Sequence, residues 1–146
     1  MEYSDTLSEA RGDIEAFEKN GMTKAALINL ESAVDSLNEL YCMKVDESQI
    51  ASNILNLYFD KVVEKIRYLL SLDTLPDERL LKYWFFVLRR YKGIEAIDQN
   101  VFMDLLDKIG TVVRLGKGEF KYLSPKRRWI KILEMREGIN ADDFDF

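Results

Sequence analysis

Apolar residues recur at helical spacing along most of the 146-residue chain, and this pattern predicts a series of amphipathic helices. Ser4 is predicted to cap the first helix, which is expected to end at Asn20-Gly21, a pair that suits a left-handed C-terminal cap. Thr23 is placed to cap the second helix. The apolar stripe of the first helix is Leu7, Ala10, Ile14 and Phe17, and that of the second is Leu27, Leu30, Val34, Leu37 and Tyr41.

A third and longer helix is predicted with Asp46 as its cap, and a fourth over Asp77–Tyr91. Thr74, with Pro76 in the first turn, favours the start of the fourth helix. The spacing in the third helix slips near Tyr58, so we expect this helix to contact more than one neighbour. Its apolar positions are Ile50, Ile54, Leu57, Val62 or Val63, Ile66 and Leu69.

A fifth helix is predicted from Asp98 and a sixth from Ser124-Pro125. The inward positions are Val101, Phe102, Leu105, Leu106, Ile109 and Val112 in the fifth helix, and Trp129, Ile130 and Leu133 in the sixth. No pair of segments shows the alternating pattern of paired strands. We therefore predict an all-α fold, a single-domain bundle of about six helices over residues 1–138, followed by an acidic and flexible segment at 139–146.

The chain contains no histidine and one cysteine, Cys42, which removes the commonest designs for acid–base catalysis and for transition-metal sites. Cys42 is expected to be a small buried residue. Asp104 and Asp107 share a helix face, and we interpret them as surface charges rather than Mg²⁺ ligands. The sequence thus predicts a protein that is not an enzyme and that binds no metal and no cofactor.

The pattern also bears on location. The longest apolar stretches fall well short of the roughly 20 residues that cross a bilayer, and the first residues lack the apolar core of a signal peptide. A lone cysteine forms no internal disulfide. We therefore predict a cytoplasmic protein with no membrane association.

The net charge of −5 is unevenly distributed, since Met1–Asp73 has a net charge of −7 and Arg114–Arg136 a net charge of +6. The basic segment interleaves cations with aromatic rings, a pattern that suits phosphate contact and base stacking. It gives an alternative prediction, a nucleic-acid interface formed by Lys121, Lys126, Arg127, Arg128, Trp129 and Lys131. The acidity of the whole chain, with a pI near 4.9, favours a protein partner over nucleic acid.

Four consecutive aromatic residues, Tyr83 to Phe86, lie in the fourth predicted helix. One amphipathic helix cannot turn all four toward a core, so at least one should be exposed or lie in a groove. Arg89 and Arg90 follow, and Tyr, Trp and Arg dominate the energetic centres of protein interfaces. We predict a partner-binding surface formed by Tyr83, Trp84, Arg89 and Arg90, which contacts another protein or a second copy of this chain.

Residues 24–92 resemble the middle helices of the flagellar secretion chaperones. The similarity is carried by an Ala/Leu-rich helix at 26–42, by Asn53-Ile54-Leu55 and Asn56-Leu57-Tyr58 in the next helix, and by LLKYWFFVLRRY in a further one. The resemblance implies a helical bundle that clamps an apolar helix of a partner. The main functional prediction is therefore a non-enzymatic protein-binding module, an adaptor or a protein similar to an export chaperone.

The segment ADDFDF at 141–146 combines aspartates with two phenylalanines. It resembles the acidic tail peptide of bacterial single-stranded DNA-binding proteins, in which acidic residues precede a phenylalanine that docks on partner proteins. This resemblance covers six residues and implies a docking role for Asp142, Asp143, Phe144 and Phe146. The alternative is a flexible terminus without such a role.

Overall fold

The structure, a computed structural model, describes residues 3–115, 124–128 and 130. Its helices are α1 (Ser4–Lys19), α2 (Lys24–Cys42), α3 (Ser48–Ser71), α4 (Glu78–Arg89) and α5 (Gln99–Leu115). Residues 125–128 form a further helical turn, and no strand occurs within these ranges. The predicted all-α, single-domain bundle is confirmed. The predicted boundary between residues 138 and 139 lies outside the described residues.

Helix caps form where short polar side chains precede an apolar stripe. The Thr23 hydroxyl accepts a hydrogen bond from Ala26 N at 3.1 Å at the start of α2. The Asp77 carboxylate accepts from Arg79 N at 2.7 Å at the start of α4. Asp98 serves α5 in the same way, because its Oδ1 accepts from Asn100 N at 2.9 Å and from Val101 N at 3.2 Å. The predicted starts at Thr23 and Asp98 are confirmed. The fourth helix begins at Glu78, close to the predicted Asp77, but its cap is Asp77 rather than Thr74, and Pro76 precedes the helix instead of lying in its first turn. Ser4, predicted as the cap of the first helix, is instead the first residue of α1, and Tyr3 before it makes no side-chain cap. Each observed cap satisfies an amide that has no partner within the helix.

The start of α3 differs from the prediction that Asp46 caps this helix. The helix begins at Ser48, and Glu47, which precedes it, makes no side-chain cap. The Ser48 hydroxyl instead donates to Leu40 O at 2.7 Å and accepts from Val45 N at 2.9 Å. Ser48 thus binds the beginning of α3 to the last turns of α2, a long-range role that no local cap pattern predicts.

The helices form two pairs around the long helix α3. Helix α1 packs along α2, and α4 packs along α5. Helix α3 contacts α2 on one side and α4 and α5 on the other. The connection between α1 and α2 is short and turns at Gly21, where φ is +62°, so these two helices run antiparallel. The expectation that the third helix contacts more than one neighbour is confirmed.

The buried face of α3 is displaced from the predicted stripe. Ile50 and Leu57, both predicted to face inward, are 43% and 53% exposed. Ala51, Leu55 and Phe59 take the inward positions and are at most 2% exposed. The reason is that α3 has neighbours on two sides, so its buried arc is wider than one stripe and is centred where those neighbours lie. The buried residues of α3 are Ser48, Ala51, Ile54, Leu55, Phe59, Val62, Val63, Ile66, Leu69 and Leu70.

Two further predictions of burial are corrected. Cys42, expected inside, is exposed, since it lies at the last position of α2 beyond the reach of the core. Ile130, also expected to face inward, is 46% exposed. In the same helical segment the buried residue is Arg128, at 2% exposure. Trp129 and Leu133 lie outside the residues whose side chains the structure describes.

An amide side chain connects α3 to the α4–α5 pair. The Asn56 Nδ2 group donates to Ala96 O at 2.8 Å, in the connection between α4 and α5, and to Ser52 O at 2.9 Å. Gln99 Nε2 donates to Ile94 O at 2.8 Å within the same connection. These bonds satisfy carbonyls of a connection that has no regular secondary structure, and they hold the α4–α5 pair at a defined position on α3.

Candidate protein-binding surfaces

The aromatic run of α4 is divided between two sides of the helix. Tyr83 is buried at 9% exposure, Trp84 and Phe85 are half-buried, and Phe86 is 39% exposed. The prediction that at least one of the four aromatic residues is exposed is confirmed, and the exposed one is Phe86. Successive residues of a helix differ by about 100° in direction, so the four rings face different neighbours.

Tyr83 is buried and contributes to packing within the fold. Its predicted place on the partner-binding surface is therefore corrected. Its hydroxyl donates to Gly21 O at 2.9 Å, in the connection between α1 and α2, and its ring lies edge-on to Trp84 with 5.7 Å between centroids. Burial raises the pKa of the Tyr83 hydroxyl. The hydrogen bond supplies a buried phenol with the partner that it needs and fixes α4 against the first helical pair.

The two arginines after the aromatic run have different surroundings. Arg90 forms an ion pair with Glu31 of α2, with Nη1 and Oε2 2.9 Å apart. Arg89 is exposed and its guanidinium lies 5.7 Å from the ring centroid of Phe85. The predicted set of Tyr83, Trp84, Arg89 and Arg90 is therefore not one continuous surface. Arg89 instead belongs with Phe85 and Phe86, whose rings are 5.8 Å apart.

The first candidate site is a groove between α4 and α5 with a volume of about 580 Å³, which we call the α4–α5 groove. Phe85 contributes one wall, and α5 contributes residues spaced at three, four and seven positions. Met103 is 58% exposed, while Gly110 is buried and offers no side chain to fill the space. The lining residues are Phe85, Met103, Asp104, Leu106, Asp107, Gly110 and Thr111.

The rim of the α4–α5 groove carries charge along one edge. Asp104 pairs with Lys108 across one helical turn, with 2.9 Å between Oδ2 and Nζ, and its side chain remains half exposed. Asp107 lies one turn along on the same edge. The floor is apolar and the flexible thioether of Met103 adapts to different shapes. Such a groove fits the apolar face of an amphipathic helix with basic residues on its flank.

The second candidate site lies on the other side of α4, where two adjoining depressions of about 320 and 120 Å³ share Phe17, Glu18 and Trp84. We call them together the Trp84 groove. It runs between α1, α3 and α4, and Lys61 and Lys65 of α3 are on its rim. Its other lining residues are Gly21, Met22, Leu30, Tyr58, Val62, Leu80, Tyr83 and Tyr91. The predicted site residue Trp84 thus does line a groove.

The predicted nucleic-acid interface in the basic segment agrees with the structure at some residues and not at others. Lys126 and Arg127 are exposed, as a nucleic-acid interface requires. Arg128 is buried, and its guanidinium donates to Leu70 O at 3.0 Å and to Leu72 O. Burial lowers the pKa of Arg128 while Asp73 raises it. This side chain is engaged at the end of α3, which corrects its assignment to a phosphate contact. Lys121, Trp129 and Lys131 lie outside the described residues, as do Asp142, Asp143, Phe144 and Phe146.

Two further features, a metal-binding cluster and a membrane-spanning helix, are absent from the described residues. Among residues 3–115, 124–128 and 130, no three His, Cys, Asp or Glu side chains are grouped so that they could hold a metal ion. Within the same residues, no helix combines the length and the apolar character needed to cross a bilayer.

Comparison with known protein families, with curated proteins and with solved structures yields no match to this chain. The resemblance to flagellar secretion chaperones therefore stays a prediction.

Sequence reasoning missed Phe85, Phe86 and Met103 as the centre of an apolar surface. A signal was present on α5, where Met103, Leu106 and Gly110 follow helical spacing beside the core positions. The apolar sector of α5 is thus wider than a single stripe, which indicates a second contact face. What the sequence does not show is that Phe85 of α4 stands across from that face.

Proposed function

We propose that this protein is a non-enzymatic protein-binding module, an adaptor or a chaperone similar to those of export systems, that acts in the cytoplasm. It holds an apolar helix of a partner in the α4–α5 groove. The observation that carries this proposal is the groove of about 580 Å³ between Phe85 and Met103. Next to it stand the exposed ring of Phe86 and the exposed guanidinium of Arg89.

The size and chemistry of the groove support a helix as the occupant. An apolar helix presents side chains at positions i, i+3, i+4 and i+7, which insert between two helices of a receptor. Phe85 and Met103 offer an aromatic wall and an adaptable thioether, and both gain when water is excluded from them. Covering Phe86 together with Arg89 adds the kind of contact that dominates protein interfaces.

The charge on the rim of the α4–α5 groove indicates which kind of partner helix fits. Asp104 and Asp107 lie along the α5 edge of the groove. Asp104 is paired with Lys108 but its side chain is half exposed, so a Lys or Arg beside the apolar face of a bound helix can share that carboxylate. The partner that fits is an amphipathic and basic helix, either in another protein or in a second copy of this chain.

Site-specific photocrosslinking tests this proposal in the source cell. Benzoylphenylalanine replaces Met103 in one variant and Ile28, which is 64% exposed on α2, in the matched control. We expect the Met103 variant to crosslink to one partner through a defined helical segment that the Ile28 variant does not capture. Equal crosslinking from the two positions, with helix content intact by circular dichroism, contradicts the proposal.

A further inference from the structure

We propose that the acidic segment of residues 141–146 docks in the Trp84 groove of its own chain. The Trp84 groove is distinct from the α4–α5 groove, so the proposal does not depend on the proposed function. The aromatic floor of the groove would bind the phenylalanines of the segment, and the lysines on its rim would bind the aspartates. The segment lies outside the described residues, and only its sequence, ADDFDF, and its distance along the chain enter the argument.

The rim of the Trp84 groove carries cations that the described structure leaves without an anion. Lys61 Nζ lies 4.7 Å from the ring centroid of Tyr58, and Lys65 Nζ lies 5.7 Å from that of Tyr68. Within the described residues neither lysine forms an ion pair. The two lysines are one helical turn apart on α3, and the opposing charge on the rim is Glu18 of α1. The rim therefore favours an anionic ligand.

The floor of the Trp84 groove is aromatic. Trp84 and Phe17 line both depressions and are half-buried. Met22, which is 48% exposed, extends the apolar surface at the edge. Aromatic rings pack well edge-on or offset against one another, and a thioether packs against ring edges. An incoming phenylalanine finds both kinds of contact here.

The acidic segment has the matching chemistry. Asp142, Asp143 and Asp145 provide three carboxylates, and Phe144 and Phe146 provide two rings. The same segment suits the α4–α5 groove less well, because the lining residues of that groove include two aspartates, Asp104 and Asp107, and the nearby Lys108 is already paired with Asp104. Charge therefore distinguishes the two grooves as docking sites for this segment.

The chain is long enough for the segment to reach its own groove. Arg128 is bound to Leu70 at the end of α3. Lys65 lies about 7.5 Å before Leu70 along the same helix, at a rise of 1.5 Å per residue. The chain between residues 130 and 141 spans roughly 36 Å when extended, and roughly 22 Å when the predicted sixth helix continues to residue 138. The path from Leu70 to Lys65 runs about 7.5 Å along α3 and roughly 17 Å around its surface, which lies within either span, and the short connection gives a high effective concentration.

Paramagnetic broadening in the full-length chain tests this inference. A nitroxide is attached at residue 140 through Asn140→Cys, with the exposed Cys42 replaced by Ser. We expect the indole N–H signal of Trp84 to lose most of its intensity relative to the reduced nitroxide. Salt should restore part of the signal, since the rim charges are exposed and are screened. An unchanged Trp84 signal overturns the proposal.

Charge reversal separates specific docking from diffuse attraction. Lys65→Glu should restore most of the Trp84 signal, whereas the matched control Arg67→Glu, on the same helix but outside the Trp84 groove, should not. Lys61→Glu with Lys65→Glu should restore the signal fully, and adding Asp142→Lys and Asp143→Lys should bring the broadening back. Equal effects of Lys65→Glu and Arg67→Glu, with circular dichroism unchanged, overturn the proposal.

A mixture of an isotope-labelled chain and a separate nitroxide-labelled chain tests whether the segment docks on a second copy. Broadening of the Trp84 signal between the two chains assigns the segment to a second copy and also overturns the proposal.

Discussion

The guanidinium of Arg128 donates a hydrogen bond from Nη1 to the carbonyl oxygen of Leu70 at 3.0 Å, and its Nη2 donates to the carbonyl of Leu72. Carbonyls at the end of a helix have no partners within that helix, and a positive charge there is also favoured by the helix dipole. One arginine thus caps α3 and fastens the helical turn at residues 125–128 to it.

Replacing Arg128 by Ala should lower the free energy of unfolding by about 2 kcal/mol, because two charge-assisted hydrogen bonds to carbonyls at the end of α3 are lost. Urea denaturation followed by circular dichroism measures the change. The neighbouring variant Arg127→Ala is the control, since Arg127 is exposed, and it should change stability by less than about 0.5 kcal/mol. Similar losses in the two variants would mean that the Arg128 contact does not hold the fold.

Tyr83→Phe should reduce stability by about 1 kcal/mol and leave partner binding unchanged, because the hydroxyl that is removed serves Gly21 O rather than a surface. Thermal unfolding and an affinity measurement on the same sample check the two parts. Tyr68→Phe, at a ring that is 58% exposed, should alter neither quantity. A loss of affinity in Tyr83→Phe with unchanged stability would show that Tyr83 is part of the partner-binding surface after all.

Replacing two of the glycines by alanine should change the stability of the protein in opposite directions. Gly21 adopts a φ of +62°, so a Cβ there is strained although nothing lies within 4 Å, and Gly21→Ala should destabilise the protein by about 1 kcal/mol. Gly12 lies in the exposed interior of α1 with open space around it, and Gly12→Ala should stabilise by roughly 0.5–1 kcal/mol. Chemical denaturation of the two variants decides this. Stabilisation by Gly21→Ala would show that the chain does not turn there as described.

The helix starts and the all-α fold could be predicted because they depend on local chemistry. Thr23 and Asp98 each act on amides within three residues, so sequence spacing alone identifies them. The hydroxyl of Ser48 acts on Leu40 O instead, and no local rule indicates which residue of a neighbouring helix will lie beside it.

The sequence predicts a candidate surface on α4 but not which side of α4 is exposed, since Phe86 is exposed and Tyr83 is buried. Which of Tyr83, Trp84, Phe85 and Phe86 becomes exposed depends on where α2, α3 and α5 pack around α4, and that information is not local. The same limit applies to Lys126, Arg127 and Arg128. These are three adjacent cations in the sequence, and only the position of the α3 end makes the third one a buried cap.

The alternative function, nucleic-acid binding by the basic segment, makes a quantitative prediction through Lys126 and Arg127. If they contact phosphates, the slope of log Kd against log salt concentration falls by about 1.8 in Lys126→Ala/Arg127→Ala, since each phosphate contributes about 0.9. The proposed protein-binding function predicts instead that the double variant and the unaltered chain bind a labelled oligonucleotide equally weakly at every salt concentration. Fluorescence anisotropy over a salt series distinguishes the two results.

The α4–α5 groove as a partner-binding site is tested most directly by the affinity of two charge variants for the helix captured by crosslinking. Met103→Glu places a carboxylate in the α4–α5 groove, and Ile28→Glu makes the same change at a comparably exposed residue on α2. Titration calorimetry should show about thirty-fold weaker binding for Met103→Glu, which is about 2 kcal/mol, and no change for Ile28→Glu. Equal affinities for the two variants, with the fold intact by circular dichroism, would contradict the assignment of the α4–α5 groove as the partner-binding site.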